Sequence, residues 1–300
     1  MLGIYELNKI YNEDCYKAIK NIPDASIDLV YIDPPYQFCQ GGKGHGDLAD
    51  RRDKTNKAIY SLDTDITKRK IAGGYTSGGG CFGTKKRNYH SQVNLTDVNI
   101  KNDADENTYF VSKGFSNELL DDLCRVMKKI NIYIWCNKEQ LRQIIDYFDD
   151  KDCFIDLFTW HKTNPIPTCN NTYLPDTEYC IFARESGVKV YGSVETKKKW
   201  YISSCNKSDK ELFKHPTCKP LEFVKDHIFN STQENEIVLD AFIGSGTTAV
   251  ACKELNRKFI GFEINPEYYQ IAVDRINGIS QVDKRIKETG QTDIFDFLEE

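Results

Sequence analysis

Residues 237–264 leave this chain few folds to choose from. Ile237-Val238-Leu239-Asp240-Ala241-Phe242 is a short apolar, β-branched run of the kind that fills a strand buried on both faces. It enters Ile243-Gly244-Ser245-Gly246-Thr247-Thr248-Ala249, a glycine-rich turn followed by a helical pattern to about Leu255. Lys258 to Ile264 reads as the next strand, with Glu263 near its end. Asn265 caps a further helix, and Pro266 stands in its first turn, where a missing N–H is tolerated. Strand, glycine turn, helix, strand and acid make the βαβ unit of nucleotide-type cofactor binding. The fold class is therefore α/β, and the strand–helix alternation elsewhere agrees.

A second informative stretch lies near the N-terminus. Ile27 to Ile32 reads as a buried strand, and Asp33-Pro34-Pro35-Tyr36 stops it, because proline donates no backbone hydrogen bond and fixes φ. The result is one carboxylate, a stiff backbone and one aromatic ring at the carboxyl end of a strand, the edge at which open parallel sheets bind ligands. Asp33 and the Pro34 carbonyl can accept the N–H protons of a planar, amino-bearing group, with Tyr36 stacked on its face. The plainer alternative is an Asx-type turn, which Asp-Pro commonly opens. Asn12-Glu13-Asp14-Cys15 ends the preceding strand and brings Asp14 to the same edge.

Between these ends the pattern is uneven. From Gln37 to about Phe110 periodicity fails, with Gly41-Gly42, Gly73-Gly74 and Gly78-Gly79-Gly80 among basic and polar residues. So long an irregular span is a surface insertion or a functional segment, and its Lys85-Lys86-Arg87-Asn88-Tyr89-His90 mix suits a clamp on a polyanion. Helices are expected over Tyr16–Ile22, Phe115–Lys129, Lys138–Phe148 and Pro220–Phe229, and strands over Asn131–Cys136, Phe154–Trp160 and Glu178–Ala183. Residues 185–214 read as polar and loop-rich, with Lys197, Lys198 and Lys199 beside Trp200 and Tyr201. Residues 281–300 form a charged, peripheral tail.

Composition narrows the function classes. The chain has 300 residues, 40% of them apolar and 28% charged, ordinary values for a soluble protein. No apolar stretch is long enough to span a membrane, and Met1 to Glu6 lacks the pattern of a signal peptide, so a cytoplasmic location is expected. Eleven cysteines include no C-x-x-C pair, and His45, His90, His161, His215 and His227 have no metal-like spacing; they read as surface or packing residues, and no metal is expected. The net charge of −5 argues against a passive nucleic-acid coat, although basic residues cluster at 43–87 and 197–199.

The glycine loop fits a dinucleotide, with Glu263 on a ribose hydroxyl, and it fits S-adenosylmethionine equally well. A hydride-transferring enzyme has no evident use for Asp33-Pro34-Pro35-Tyr36. A methyl transfer to an exocyclic amine does, because that nitrogen's lone pair is delocalised and two acceptors on its protons favour a pyramidal geometry. Such a base must leave the duplex to be reached.

Taken together, Asp33-Pro34-Pro35-Tyr36 and Phe242-Ile243-Gly244-Ser245-Gly246-Thr247 resemble the two signature motifs of amino-methylating DNA methyltransferases, in the permuted order of the β class. Asn12-Glu13-Asp14-Cys15, Trp160-His161-Lys162-Thr163-Asn164, Glu178 and His215-Pro216-Thr217-Cys218-Lys219-Pro220 are similar to further family elements; Cys218 stands where the family usually has Gln or Glu. The resemblance implies a Rossmann-like, S-adenosylmethionine-dependent methyltransferase fold, with a mostly parallel seven-stranded sheet and helices on both faces. The catalytic domain would span 1–36 and 111–280, with the 37–110 insertion as a DNA clamp and 185–214 as a target-recognition segment.

Catalysis is expected at Asp33, Pro34, Pro35 and Tyr36. Cofactor contact is expected at Asp14, Cys15, Asp33, Thr217, Lys219, Asp240, Phe242, Gly244, Ser245, Gly246, Thr247, Thr248 and Glu263, with Asp240 orienting the loop. DNA contact is assigned to Lys85, Lys86, Arg87, Lys162, Asn164, Lys197, Lys198 and Lys199. The implied partner is double-stranded DNA, with a homodimer and a cognate restriction endonuclease left open. Asp rather than Ser at the start of the catalytic element favours adenine N6 over cytosine N4. Cytosine C5 is disfavoured, since no Pro-Cys nucleophile occurs. An NAD-type oxidoreductase and a non-catalytic DNA-binding module stay as alternatives.

Overall fold

The strands of the computed structural model, which describes residues 1–36, 114–165, 173–205 and 219–279, run in chain order as β1 (Lys9–Tyr11), β2 (Leu29–Ile32), β3 (Asn131–Cys136), β4 (Phe154–Lys162), β5 (Thr177–Arg184), β6 (Trp200–Ser203), β7 (Ile237–Asp240) and β8 (Lys258–Phe262). The helices are α1 (Cys15–Ala18), α2 (Asn117–Val126), α3 (Leu141–Asp149), α4 (Leu221–Ser231), α5 (Thr247–Glu254) and α6 (Pro266–Ile276), with a 3₁₀ turn over Ile19–Asn21. Among the described residues, Met1–Pro34, Ser116–Pro165 and those from Asp176 onward form one compact unit. Pro35, Tyr36, Gly114, Phe115 and Tyr173–Pro175 belong to a second.

The eight strands make one sheet in the order β1-β8-β7-β2-β3-β5-β4-β6. The pairings from β1 through β3 are all parallel, β5 runs antiparallel to both β3 and β4, and β6 runs parallel to β4. The mostly parallel α/β sheet is as expected; the strand number is eight rather than seven. The extra strand is β6, within a stretch whose polar composition reads as loop. Trp200-Tyr201-Ile202 is a locally β-prone triplet, and it adds to the sheet edge by pairing Thr159 with Trp200 and Trp160 with Tyr201.

The central strands are buried on both faces, so they read as apolar runs rather than as an alternation. On one face Leu29, Tyr31, Tyr133, Trp135, Phe158, Trp160, Cys180, Phe182 and Val238 pack against Phe223, Val224 and Ile228 of α4 and Ala249, Ala251 and Cys252 of α5. The intervening residues Val30, Ile32, Ile132, Ile134, Ile181 and Ala183 are equally buried on the other face, and α3 packs on β4 and β5. The seven free cysteines among the described residues form no disulfide. No described helix is long and apolar enough to cross a membrane.

His227 on α4 is a packing residue, as its lack of metal-like spacing suggested. Its ring lies stacked on Tyr133, with centroids 4.4 Å apart, and Nδ1 is 3.3 Å from the Tyr31 hydroxyl. Burial pushes the imidazole down to about 3 from its ordinary 6.5. Above pH 6.5 both folded and unfolded chains hold it neutral; between 6.5 and about 3 only the unfolded chain takes the proton. His227 therefore costs stability as pH falls through that window. In chemical denaturation at a series of pH values, His227→Phe should flatten the loss of stability from about pH 6.5 towards pH 4 relative to the wild type.

Candidate active site

Period-two alternation carries a row of polar groups to one end of the sheet. Asp33 is two residues past Tyr31, Lys162 two past Trp160, and Glu178 two before Cys180, so all three lie on the face that holds the aromatic core. β2, β3 and β4 deliver their carboxyl ends to this edge. β5, being antiparallel, delivers its first residues there, with Trp160 opposite Glu178. Lys219, just before α4, reaches the same place.

These groups form a chain of alternating charge. The Lys219 ammonium donates to Asp33 Oδ2 at 2.6 Å and lies 3.1 Å from Glu178 Oε2. The other Glu178 oxygen pairs with Lys162. Lys219 is only 7% exposed and sits 4.8 Å above the Trp135 ring centroid. That ring is itself fixed, because Trp135 Nε1 donates to the Tyr31 hydroxyl at 2.9 Å. Burial would raise the Glu178 carboxyl, but the charges of Lys219 and Lys162 outweigh it and hold it at about 2. Lys219 likewise stays above the ordinary lysine range, because Asp33 and Glu178 overcome the effect of burial. At neutral pH the chain is fully ionised from Glu178 through Lys219.

The glycine loop is built around two left-handed residues, Gly244 with φ 50° and Gly246 with φ 81°. Gly246 is the N-cap of α5, and a Cβ there would lie 3.2 Å from the Ala272 backbone on α6. Glycine is thus required by both φ and packing. Glu263 braces the loop, accepting from Gly244 N at 3.0 Å and from Asn265 N at 2.8 Å. Burial raises its carboxyl above the usual range, and those backbone donors moderate the shift. Buried Asp240 accepts from Phe242 N at 3.0 Å; burial lifts it to about 7. Asp240 therefore shapes the turn after β7. Ser245, Thr247 and Thr248 are buried at the start of α5.

Asp14 caps α1, accepting from Tyr16 N at 3.0 Å, and Cys15 behind it is buried, with its thiol pushed well up. Asn12 Nδ2 donates to the carbonyls of Glu263 and Ile264, at 2.7 and 3.1 Å, and so ties the ends of β1 and β8 together. Asn164 accepts from Cys205 N at 2.6 Å. Lys198 pairs with Glu195 and Lys199 with Asp156 on the outer surface, and Lys162 lies 5.1 Å above Trp160 in addition to its pairing with Glu178. Pro34 is buried in the first unit, whereas Pro35 and Tyr36 belong to the second. Thr217, Lys85, Lys86 and Arg87 lie outside the described residues, as do the whole 37–110 insertion and the 281–300 tail.

Two supports escaped sequence reasoning. Trp135 looks like an ordinary core aromatic, and only the fold sets Lys219 on its face. Arg275, near the end of an amphipathic helix, is buried under the glycine loop, where its Nη1 donates to Thr247 Oγ1 at 2.9 Å and to Ser245 Oγ and O at 3.2 and 3.3 Å. A buried arginine has no local sequence signature.

Comparison with known proteins places this geometry. Residues 27–274 match the N6/N4 methyltransferase family, described as DNA methylase. The Type II methyltransferase M2.LlaDCHI of Lactococcus lactis subsp. cremoris is 30% identical over 285 residues, spanning 89% of this chain and 88% of that protein. M2.DpnII of Streptococcus pneumoniae is 27% identical over 291 residues, 91% of each. Among solved structures, the M1.HpyAVI–SAM complex superposes with a TM-score of 0.54 at 22% identity, covering 89% of this chain and 98% of that one. The PvuII cytosine-N4-specific DNA methyltransferase gives 0.56 at 16%, covering 93% and 90%. The chain belongs to the DNA methylase family. The dehydrogenase reading of the glycine loop therefore falls away.

Replacing Arg275 by Met should cost about 1.5–3 kcal/mol of stability, the range for losing charged hydrogen bonds to buried acceptors. Denaturant titration followed by circular dichroism would check it; an unchanged midpoint would show that the loop holds itself.

Proposed function

We propose that the protein transfers a methyl group from S-adenosylmethionine to the N6 amino group of adenine in double-stranded DNA. The observation that carries this reading is Asp33, a carboxylate fixed at the carboxyl edge of β2 by Lys219 and followed directly by buried Pro34. An adenine amine is a poor nucleophile. With Asp33 and the Pro34 carbonyl accepting its two protons, the nitrogen lone pair is turned out of the ring plane. As nitrogen bonds to the methyl carbon, the carbon–sulfur bond breaks, S-adenosylhomocysteine is the leaving group, and positive charge grows on nitrogen until one of its two protons is lost to solvent. The Asp33 carboxylate is already oriented to meet that charge, a preorganised electrostatic contribution. No covalent nucleophile is required, and Cys15, Cys136 and Cys180 are buried thiols whose pKa values burial raises. The target base must be extruded from the duplex, and the Asp-Pro-Pro-Tyr sequence assigns its stacking to Tyr36.

The residues around the glycine loop fit the cofactor. Two left-handed glycines leave the backbone open to close approach, and Glu263, braced by backbone N–H groups at the end of β8, is a carboxylate positioned to accept from ribose hydroxyls. Asp14 lies at the neighbouring strand end for the adenine ring. S-adenosylmethionine, when bound, supplies an electrophilic methyl carbon. The relatives named Type II methyltransferases support a place on the modification side of a restriction–modification pair. Homodimerisation and a cognate endonuclease belong to the same proposal.

The test is product analysis. Unmethylated DNA is incubated with protein and S-adenosylmethionine, digested to nucleosides and examined by mass spectrometry, with Asp33→Ala alongside. N6-methyldeoxyadenosine should form with the wild type, and the variant should be slower by about 10²–10³-fold or more. N4-methyldeoxycytidine would reassign the base, which the N4-specific PvuII neighbour keeps as the second reading. DNA binding without product would indicate a non-catalytic module.

A further inference from the structure

Asp33 is one end of a four-member chain, and the other members have their own consequence for catalysis. A carboxylate turns freely about its last torsion, so a lone Asp33 at a strand end would sample many orientations. Lys219 removes that freedom. Its ammonium has three donors and is nearly enclosed; Asp33 Oδ2 takes one at 2.6 Å and Glu178 Oε2 another at 3.1 Å, while the Trp135 face bounds it from one side. Glu178 is in turn held from behind by Lys162, which is itself only 16% exposed.

We propose that Glu178 and Lys162 are positioning residues for methyl transfer, acting through Lys219 to set the orientation of the Asp33 carboxylate. The inference rests on the reading of Asp33 as acceptor for the target amine, and it reassigns Lys162 from the DNA surface to the interior of the site. The geometry fits such a chain. The four groups come from β2, β4, β5 and the entry to α4, so each is anchored on a separate element. Opposite charges alternate along the chain, so loss of an inner member takes from the outer neighbour its partner in the chain and leaves the other neighbour with one partner instead of two. With Glu178 neutral, Lys219 loses one of the two carboxylates that hold it at this edge, and the Asp33–Lys219 pair is less firmly fixed in front of the reacting nitrogen. Displacement on the scale of 1 Å is enough to lower a rate by about 10²-fold.

Steady-state kinetics on unmethylated duplex DNA test this. Glu178→Gln should lower kcat by about 10–100-fold, while cofactor affinity and the KM for DNA stay within about threefold. Lys162→Met should lower kcat in the same direction, and Lys162→Arg, which keeps a donor on Glu178, should restore most of it. The double variant Glu178→Gln/Lys162→Met should be no slower than Glu178→Gln alone, because the chain is already cut. A phosphate-contacting Lys162 behaves differently: its loss raises the KM for DNA, weakens the salt dependence of binding and adds to the Glu178 effect, and that result would overturn the inference. So would wild-type kcat in Glu178→Gln. If Glu178→Gln does not fold, the Met and Arg variants of Lys162 carry the same test from the outer end. A wild type that binds cofactor yet methylates no DNA would instead sink the reading of Asp33 itself.

Discussion

The arrangement depends on one buried ammonium. Lys219 stands between two carboxylates and above an indole, and the burial that would strip its proton is outweighed by the charges on either side. Without it, Asp33 and Glu178 would be two like charges at one crowded strand edge, where mutual repulsion and desolvation disfavour ionising both. The lysine is thus what permits an ionised acceptor to be kept ready in a partly enclosed site. The aromatic layer beneath serves the same end. Tyr31 accepts from Trp135, which presents a flat face to the cation, and His227, kept neutral, closes the other side of the Tyr31 hydroxyl.

The sheet order explains why such distant residues meet. β7 lies between β8 and β2, so the glycine loop after β7 and the Asp-Pro step after β2 leave the sheet side by side, although some two hundred residues separate them in sequence. The antiparallel β5 is equally purposeful. A parallel strand in its position would bring its last residues to this edge, whereas β5 brings Glu178 there from its start. Glu263 and Asn12 complete the row by tying the ends of β8 and β1 together.

Much of this was legible from the chain alone. Apolar runs ended by Asp33-Pro34 and by Gly244-Ser245-Gly246 marked the two strands that matter, since proline and left-handed glycine leave unambiguous local signatures. The capped helix at Asn265-Pro266 was equally plain. Less visible were features created by juxtaposition. Composition hid β6, because three β-prone residues among polar neighbours look like loop until an edge offers them a partner. Glu178, Lys162 and Lys219 could each be singled out by resemblance, but their mutual pairing needs the reversal of β5, which hydrophobic periodicity does not encode. Arg275 and Trp135 were invisible as site supports for the same reason.

The order of the strands also bears on how the protein can be made. The first strand, β1, has β8 as its sheet neighbour, and β2 borders β7, yet β7 and β8 are among the last described segments of the sequence. During synthesis β1 therefore emerges before its described neighbour β8, and β2 before β7. The sheet can close only after residues 237–262 leave the ribosome. A message broken anywhere upstream of them therefore yields no partial enzyme with half a site, but a chain with open strand edges, fit for degradation rather than for unscheduled chemistry on DNA.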